Sequence, residues 1–405
     1  MPYTVLDNFL VLDLSNRLSG SFCAKTLGLY GCDVIKVEPV DGDPNREWKD
    51  YVDDDKNTIN PLFLHLNVGK KSLSLDIENP EGSKILKQLI KKADIVVETF
   101  KPGYLDTIGL GYESSTKDNQ RLIMTSVTPF GQSGPYRNYD YTELTIFPMA
   151  GAMHREGLPD RSPLRYGGEI AQYYSGNAAA AATSVAIFRR LQTNLGEWID
   201  ISIQECMAGH PHQIGRRAPF IYSGETDSRT EPRILPGIGE SYAIGTFRCA
   251  DGYVSFLPLG ARMWPNIARM IGRDDLITHP DYLDSEKRLE NRKSLESIFQ
   301  SWLDQHTREE IFSAVQKAGV PGSPILRSDE VTENEQFKAR DYFTKLNYPS
   351  VGTQKYTGDP FRLTSIPKKD ALPPPTLGQH NQIILENYLN YTNSDIVRLR
   401  KAKFI

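Results

Sequence analysis

The stretch FLVLDLSNRLSGSFCAKTLGLYGCDVIKVEP, residues 9–39, decides the fold class of this chain. Its apolar, β-branched ends at 9–15 and 33–39 predict two strands, and residues 21–31 between them have the period of a helix. Gly31 is a typical helix stop. A strand, a helix and a strand in this order predict a right-handed crossover between neighbouring strands of a parallel sheet.

The alternation of strands and helices continues through the first half of the chain. Short β-branched runs predict further strands, and longer segments with a helical period predict helices. The predicted strands cover 72–77, 94–100, 121–131 and 198–203, and the predicted helices cover 80–93 and 176–192. This pattern is typical of a doubly wound α/β domain of the Rossmann type.

The second half of the chain has a different composition. Residues 208–240 are rich in Gly, Pro, Arg and Ser, which predicts a linker. Residues 246–259 predict a hairpin that turns at Asp251 and Gly252. Helices are predicted beyond it at 261–272, 293–306, 308–319 and 379–390. The residues alone therefore predict a two-domain α/β protein.

Composition and charge narrow the classes of partner and location. The 405 residues carry a formal net charge of −4, which argues against nucleic acid as a partner. No apolar run reaches the roughly 18 residues of a membrane span, and the N-terminus has no signal-peptide pattern. We therefore predict a cytoplasmic protein with no membrane partner.

Cysteine and histidine show no pattern of a disulfide framework or a metal site. None of the four cysteines belongs to a CxxC pair; they are Cys23, Cys32, Cys206 and Cys249. The nearest pair of histidines, His210 and His212, flanks a proline with no third ligand close by, which is typical of a loop. We predict free thiols and no bound metal.

Five different stretches of the chain, taken in order, carry recognisable motifs. They are VLDLSNRLSGSFCAKTLGLYGCDVIKVEPVDGD (11–43), NVGKKSLSLDIENPEG (67–82), VVETFKPGYLDTIGLGYE (96–113), SVTPFGQSGPYR (126–137) and PTLGQHN (375–381). Together they closely resemble the class III CoA-transferases, also called the CaiB/BaiF family. The resemblance runs nearly end to end.

The resemblance implies a Rossmann-like large domain formed by both chain ends, a smaller α+β domain, and an interlocked, ring-like dimer. The boundaries expected on this basis place the N-terminal part of the large domain at 1–207, a linker at 208–240 and the small domain at 241–325. Residues 326–405 are expected to form a second linker and the C-terminal part that returns to the large domain.

The family moves CoA between carboxylic acids through an aspartate that attacks the acyl-CoA and then carries CoA as a thioester. The resemblance places this aspartate in GGEIAQYYSG (167–176), four residues before Gly176, where the chain has Gln172. A glutamine amide has no anionic oxygen and cannot act as this nucleophile. Glu169 is a weak substitute, because a solvated or hydrogen-bonded carboxylate is its more ordinary role.

The resemblance also implies four positions that face CoA and that carry basic or amide groups in relatives. In this chain these positions are degenerate, because they are occupied by Glu78, Thr99, Thr107 and Asp140. CoA phosphates need cations or N–H donors, whereas two of these residues are acidic. The pair Lys70-Lys71 predicts either solvated lysines or an anion contact.

These departures predict a non-catalytic subunit that works with a homologous catalytic subunit carrying the aspartate, with coenzyme A as substrate of the complex and no cofactor bound by this chain. The chain resembles a branch whose hetero-oligomers move CoA from succinyl-CoA to (R)-benzylsuccinate. The alternatives are a stand-alone transferase that uses Glu169 and an acyl-CoA-binding regulatory protein. The superfamily's racemase chemistry needs a His and an Asp, where this chain has Thr142 and Gln172.

Overall fold

The chain folds into two compact units. The computed structural model describes residues 5–46, 60–154, 156–210, 220–224, 229, 243–258, 263–348, 352–358, 360–366 and 372–405. The first unit comprises 1–153, 165–224 and 338–405, and the second comprises 154–164 and 225–337. The range expected for the small domain, 241–325, lies inside the second unit. Most of the predicted linker at 208–240, with His212, lies outside the described residues.

Six strands of the first unit form one parallel sheet in the order β3-β2-β1-β4-β5-β6. They are β1 (Leu10–Asp13), β2 (Asp33–Glu38), β3 (Lys71–Ser74), β4 (Ile95–Glu98), β5 (Ile123–Thr128) and β6 (Glu197–Ser202). The order reverses at β1 and β4, as in doubly wound Rossmann-type sheets. The α/β fold class with a parallel sheet, predicted from residues 9–39, is confirmed.

Helices cover both faces of this sheet. The helices up to residue 208 are α1 (Leu18–Leu29), α2 (Pro61–Leu66), α3 (Pro80–Lys92), α4 (Tyr104–Thr107), α5 (Tyr112–Thr116), α6 (Glu143–Met149), α7 (Ile170–Thr193) and α8 (Ile203–Ala208). Along β1, Val11 packs with α1 and α7, whereas Leu10 and Leu12 pack with α3. Successive strand residues point to opposite faces, so one strand contributes to two cores.

The long helix α7 begins earlier than predicted. The alanine run predicted a helix from residue 176, with 167–176 forming a turn before it. The structure starts the helix at Ile170, and Glu169 is its N-cap. Gln, Tyr and Ser have weaker helix propensity than the alanines that follow, so this first turn carries little helical signal in the sequence. Residue 172 therefore lies on a helix and not in a turn.

The second unit contains a three-stranded sheet and a set of helices. The sheet is formed by β7 (Gly245–Cys249), β8 (Gly252–Phe256) and β9 (Gly322–Pro324), and the helices are α9 (Met263–Met270), α10 (Ser285–Glu290), α11 (Arg292–Leu303), α12 (Arg308–Ala318) and α13 (Ser328–Glu333). Helix α14 (Glu335–Ala339) follows and spans the residue 337 boundary between the two units. The predicted hairpin is confirmed, since Cys249 pairs with Gly252 across the turn. Strand β9 was not predicted, because three residues with Gly and Pro carry no strand signal.

The C-terminal part of the first unit is more ordered than the expected linker. It holds an antiparallel hairpin, β10 (Phe343–Tyr348) and β11 (Gly352–Thr357), followed by the helices α15 (Asn381–Leu389) and α16 (Asn393–Lys401). The hairpin and α16 were not predicted. Helices α15 and α16 contribute Ile384, Leu385, Ile396 and Leu399 to the core that contains Leu10 and Leu12.

The described residues include no helix that is both long and apolar enough to cross a membrane. The cytoplasmic location stays a prediction. The four cysteines are free thiols. In the described ranges, no group of three or more His, Cys, Asp and Glu side chains could hold a metal ion.

Candidate functional site

The site is built on the first turn of α7, and a close contact between helices holds that turn in place. Gly176 lies one turn further along, where an added Cβ would stand 2.7 Å from the carbonyl oxygen of Ser19 and 3.1 Å from the Phe22 ring. The absence of a side chain lets α7 approach α1 closely. The position of residue 172 follows from this backbone contact, because both residues belong to one rigid helix.

Gln172 is the third residue of α7 and turns its amide toward the N-cap. Its Nε2 donates to Glu169 Oε2 at 3.2 Å. Its Oε1 is buried and has no hydrogen-bond partner within the described part of the chain. The first turn of α7 therefore presents an amide, which has no anionic oxygen to act as a nucleophile.

Glu143, at the start of α6, is a site residue that the sequence analysis missed. It is only 6% exposed, and its Oε1 accepts from the backbone N–H of Ala171 at 2.6 Å. Burial raises the pKa of Glu143 to about 7, the Ala171 N–H opposes this, and the charge of the neighbouring Glu169 raises it further. In the sequence, an acid in a first helical turn suggests only a favourable helix-dipole interaction.

The cations near this carboxyl pair lie at the edge of the site. Arg165 is exposed and donates to the carbonyl oxygens of Gly168 at 2.6 Å and Tyr166 at 3.1 Å. The Arg17 guanidinium lies over the Tyr141 ring, 4.9 Å from its centroid. Burial raises the pKa of Tyr141, although Arg17 opposes the shift. The arrangement can hold a proton and hydrogen-bond a ligand.

Three of the four positions expected to face CoA lie around the start of α4. Burial and the charge of Glu78 raise the pKa of Tyr104, and Thr107 Oγ1 donates to the Tyr104 carbonyl oxygen at 2.6 Å. Asp140 forms an ion pair with Lys101 at 3.1 Å, and both side chains are exposed. Lys101 is thus a cation on this surface that the sequence analysis did not single out. The motif KPG that follows β4 was the available signal.

The fourth position, Thr99, belongs to a different contact. Thr99 is buried, and its Oγ1 donates to Asn16 Oδ1 at 3.0 Å while accepting from the Asn16 backbone N–H at 3.1 Å. These bonds join the loops that follow β1 and β4. Both loops lie at the carboxyl edge of the parallel sheet, which is where ligands bind in folds of this type.

Lys70 and Lys71 have different environments. Lys70 is buried, and its Nζ donates to Asp13 Oδ2 at 2.7 Å, to the Ser21 carbonyl oxygen and to Asn67 Oδ1. The prediction of a solvated lysine is wrong at this position, because the sequence does not show that a buried carboxylate lies opposite. Lys71 is partly exposed and pairs with Asp33 at 2.8 Å.

Comparison with known proteins gives a consistent picture. The model of CoA-transferase family III matches residues 6–381. A succinyl-CoA–D-citramalate CoA-transferase of Chloroflexus aurantiacus is 31% identical over 100% of this chain and 99% of its own length. A succinyl-CoA:glutarate CoA-transferase of Mus musculus is 29% identical over 97% and 88%, respectively. A crystal structure of a CaiB/BaiF family protein from Brucella suis superposes with a TM-score of 0.84 and 30% identity, over 95% of this chain and 99% of that one.

Proposed function

This chain belongs to CoA-transferase family III, and we propose that it is a non-catalytic subunit which works with a homologous catalytic subunit that carries the aspartate. The proposal rests on Gln172, which lies on the first turn of α7 and donates its amide N–H to Glu169. In the family reaction a carboxylate oxygen attacks the thioester carbonyl, the C–S bond breaks and CoA leaves as the thiolate. An amide at this position cannot take that role.

The proposed donor is succinyl-CoA and the proposed acceptor is a dicarboxylic acid such as (R)-benzylsuccinate. The names of two similar transferases, for D-citramalate and for glutarate, both state succinyl-CoA as the donor. Other relatives are named formyl-CoA:oxalate CoA-transferases. Citramalate, glutarate, oxalate and benzylsuccinate share two carboxylate groups, so an acceptor of this class is the common element.

The residues around α4 that stand at positions expected to face CoA support the same proposal. At positions expected to face CoA the chain has the carboxylates of Glu78 and Asp140, and Lys101 is already paired with Asp140. An anionic ligand is poorly served by neighbouring carboxylates, because like charges repel. The CoA of the proposed complex would therefore be held by the catalytic subunit.

Co-purification with a homologous subunit that has aspartate at this position tests the proposal. We expect the lone chain to form no covalent CoA adduct with succinyl-CoA, and the complex to transfer CoA. Gln172→Ala in this chain should leave transfer by the complex within about twofold, whereas aspartate-to-alanine in the partner should abolish it. A CoA adduct on the lone wild-type chain would show the proposal to be wrong.

A stand-alone transferase that uses Glu169 is the second candidate, favoured by the position of this carboxylate inside the site. Turnover by the lone chain that disappears in Glu169→Gln would support it. An acyl-CoA-binding regulatory role is separated by calorimetry. Tight binding of CoA by the lone chain favours a regulator, and no binding favours the non-catalytic subunit.

A further inference from the structure

A cavity of about 240 Å³ lies against one face of the parallel sheet, across β4, β5 and β6. In its floor Glu98 is paired in register with Ser126, and Met124 is paired with Trp198. Ser126 and Met124 lie two residues apart on β5, so they and their neighbours in register point to the same face of the sheet. Most of the remaining lining comes from 101–113, the segment that holds α4 and α5. The cavity is therefore built from the first unit alone.

Glu98 brings an incompletely satisfied carboxyl group to this cavity. It is only 5% exposed, and its Oε2 accepts from the backbone N–H of Phe100 at 2.7 Å. Its Oε1 accepts no hydrogen bond from the part of the chain that the structure describes. A buried acceptor without a donor costs free energy, and the cost is larger when the oxygen is charged. A ligand that brings a hydrogen-bond donor into the cavity would remove this cost.

The charged groups of the lining favour a cation as the ligand. The carboxyl groups of Asp106 and Glu113 line the cavity together with Glu98. Gly111 leaves room for one of them, because an added Cβ there would collide with Asp106 Oδ1. Lys101 is also in the lining, but its ammonium group is already in an ion pair at 3.1 Å. Negative charge predominates, so a carboxylate or phosphate ligand would be repelled.

Two aromatic rings add an apolar wall that also attracts cations. Tyr112 and Trp198 are stacked, with ring centroids 6.1 Å apart and an angle of 20° between the planes. Trp198 is held in place because its Nε1 donates to Ser126 Oγ at 3.0 Å, yet the side chain is 43% exposed. Aromatic faces attract ammonium groups and pack well against alkyl chains.

We propose that this cavity binds a small aliphatic primary ammonium ion. Glu98 Oε1 accepts one of its N–H bonds, and the carboxylates of Asp106 and Glu113 supply the remaining negative charge. The rings of Tyr112 and Trp198 pack against the alkyl chain. A primary ammonium has three N–H donors, whereas a quaternary ammonium has none and would leave Glu98 Oε1 without a partner. This inference does not depend on the proposed function, because it involves neither residue 172 nor CoA.

NMR titration of the lone wild-type chain with n-butylammonium at pH 8 tests the proposal. We expect a saturable shift of the Trp198 indole N–H signal, which Trp198→Phe identifies, while the other three indole signals stay unchanged. Tetramethylammonium should bind about tenfold more weakly, because it cannot donate to the carboxyl oxygen. Butyrate has a similar alkyl chain and the opposite charge, and it should not shift the signal. Absence of a shift with n-butylammonium, or an equal affinity for either of the other two ions, would overturn the inference.

Glu98→Gln removes the negative charge at nearly constant shape. The affinity for n-butylammonium should fall by about tenfold or more, whereas the exposed control Glu81→Gln should leave it unchanged. Unchanged affinity in Glu98→Gln would also overturn the inference. If this variant does not fold, the comparison of the three ions on the wild-type chain still decides the question.

The pH dependence of binding gives an independent readout on the wild-type chain. Burial raises the pKa of Glu98 to about 7, and the charges of Asp106 and Asp200 raise it further. Glu113 and Lys101 are the other charged groups in the lining. The ammonium ion stays protonated between pH 6 and 8, so its affinity should rise about tenfold over this range as Glu98 ionises. An affinity that is independent of pH would contradict the role given to Glu98.

Discussion

Lys70 Nζ lies 2.7 Å from Asp13 Oδ2, and both side chains are almost completely buried. Burial opposes ionisation of Asp13, but the charges of Lys70 and Lys36 and the hydrogen bonds it accepts hold its pKa below the usual range. Lys70→Met should lower the free energy of unfolding by about 3–5 kcal/mol, because the buried Asp13 carboxylate loses its nearest cation. Urea denaturation at pH 7 measures this loss.

The neighbouring lysine provides a matched control. The pair of Lys71 and Asp33 is partly exposed, so Lys71→Met should cost about 1 kcal/mol or less. The double variant Asp13→Asn/Lys70→Met should be more stable than Lys70→Met alone. Because the folded pKa of Asp13 is depressed, its contribution is present above the unfolded value of 3.8 and is lost as pH falls below it. Equal costs for the two lysines would contradict this account.

His65 makes the stability of the first unit depend on pH. Burial, followed by the charge of Lys25, lowers the pKa of His65 to about 3, and its Nε2 lies 3.2 Å from Lys25 Nζ. The unfolded chain binds the proton more readily, so stability should fall as pH drops below 6.5, by about 2 kcal/mol between pH 6.5 and 5. The variant His65→Gln should lack this part of the slope in denaturation curves at several pH values. An unchanged slope in the variant would disprove the assignment.

Glu143 is predicted to act in the opposite direction. Its pKa is raised to about 7 mainly by burial, so the neutral acid is favoured in the fold and stability declines as pH rises from 4.5 through 7. Glu143→Gln should therefore raise the free energy of unfolding by about 1–2 kcal/mol at pH 8 and change it little at pH 4.5. Thermal denaturation at both pH values measures the difference. A variant that is equally destabilised at both would contradict this prediction.

The contact between α1 and α7 predicts a steric effect at Gly176. An added Cβ would lie 2.7 Å from the Ser19 carbonyl oxygen, so Gly176→Ala should destabilise the chain by about 1–3 kcal/mol, despite the better helix propensity of alanine. Gly167 is the control, because a Cβ added there would have no atom of the described chain within 4 Å. Gly167→Ala should leave the melting temperature nearly unchanged. A stabilised Gly176→Ala chain would show that the two helices can separate without cost.

The sheet could be predicted because each of its central strands is buried on both faces. The strands β1, β2, β4 and β5 read as largely apolar runs for that reason. The hairpin of β10 and β11 has no such pattern, since most of its side chains are partly or fully exposed. Burial on both faces therefore made the central strands predictable, whereas exposure left the hairpin without a sequence pattern.

The candidate site was predictable at Gln172 but not at Glu143. Gln172 belongs to the stretch GGEIAQYYSG, which the sequence alone singles out. Glu143 joins the site only because α6 is folded against the start of α7, 28 residues further along. A raised pKa depends on burial and on neighbours brought together by the fold, and no local pattern encodes them.

The C-terminal helices α15 and α16 pack into a core that also contains residues from the start of the chain. Gly378 donates its backbone N–H to Ser72 Oγ at 2.8 Å across a separation of 306 residues. At about 5–20 residues per second, a ribosome needs roughly 15–60 s to make the intervening chain. During synthesis the apolar surface of β1–β3 that later meets α15 and α16 stays uncovered. The emerging chain therefore exposes this apolar surface until both C-terminal helices have been made.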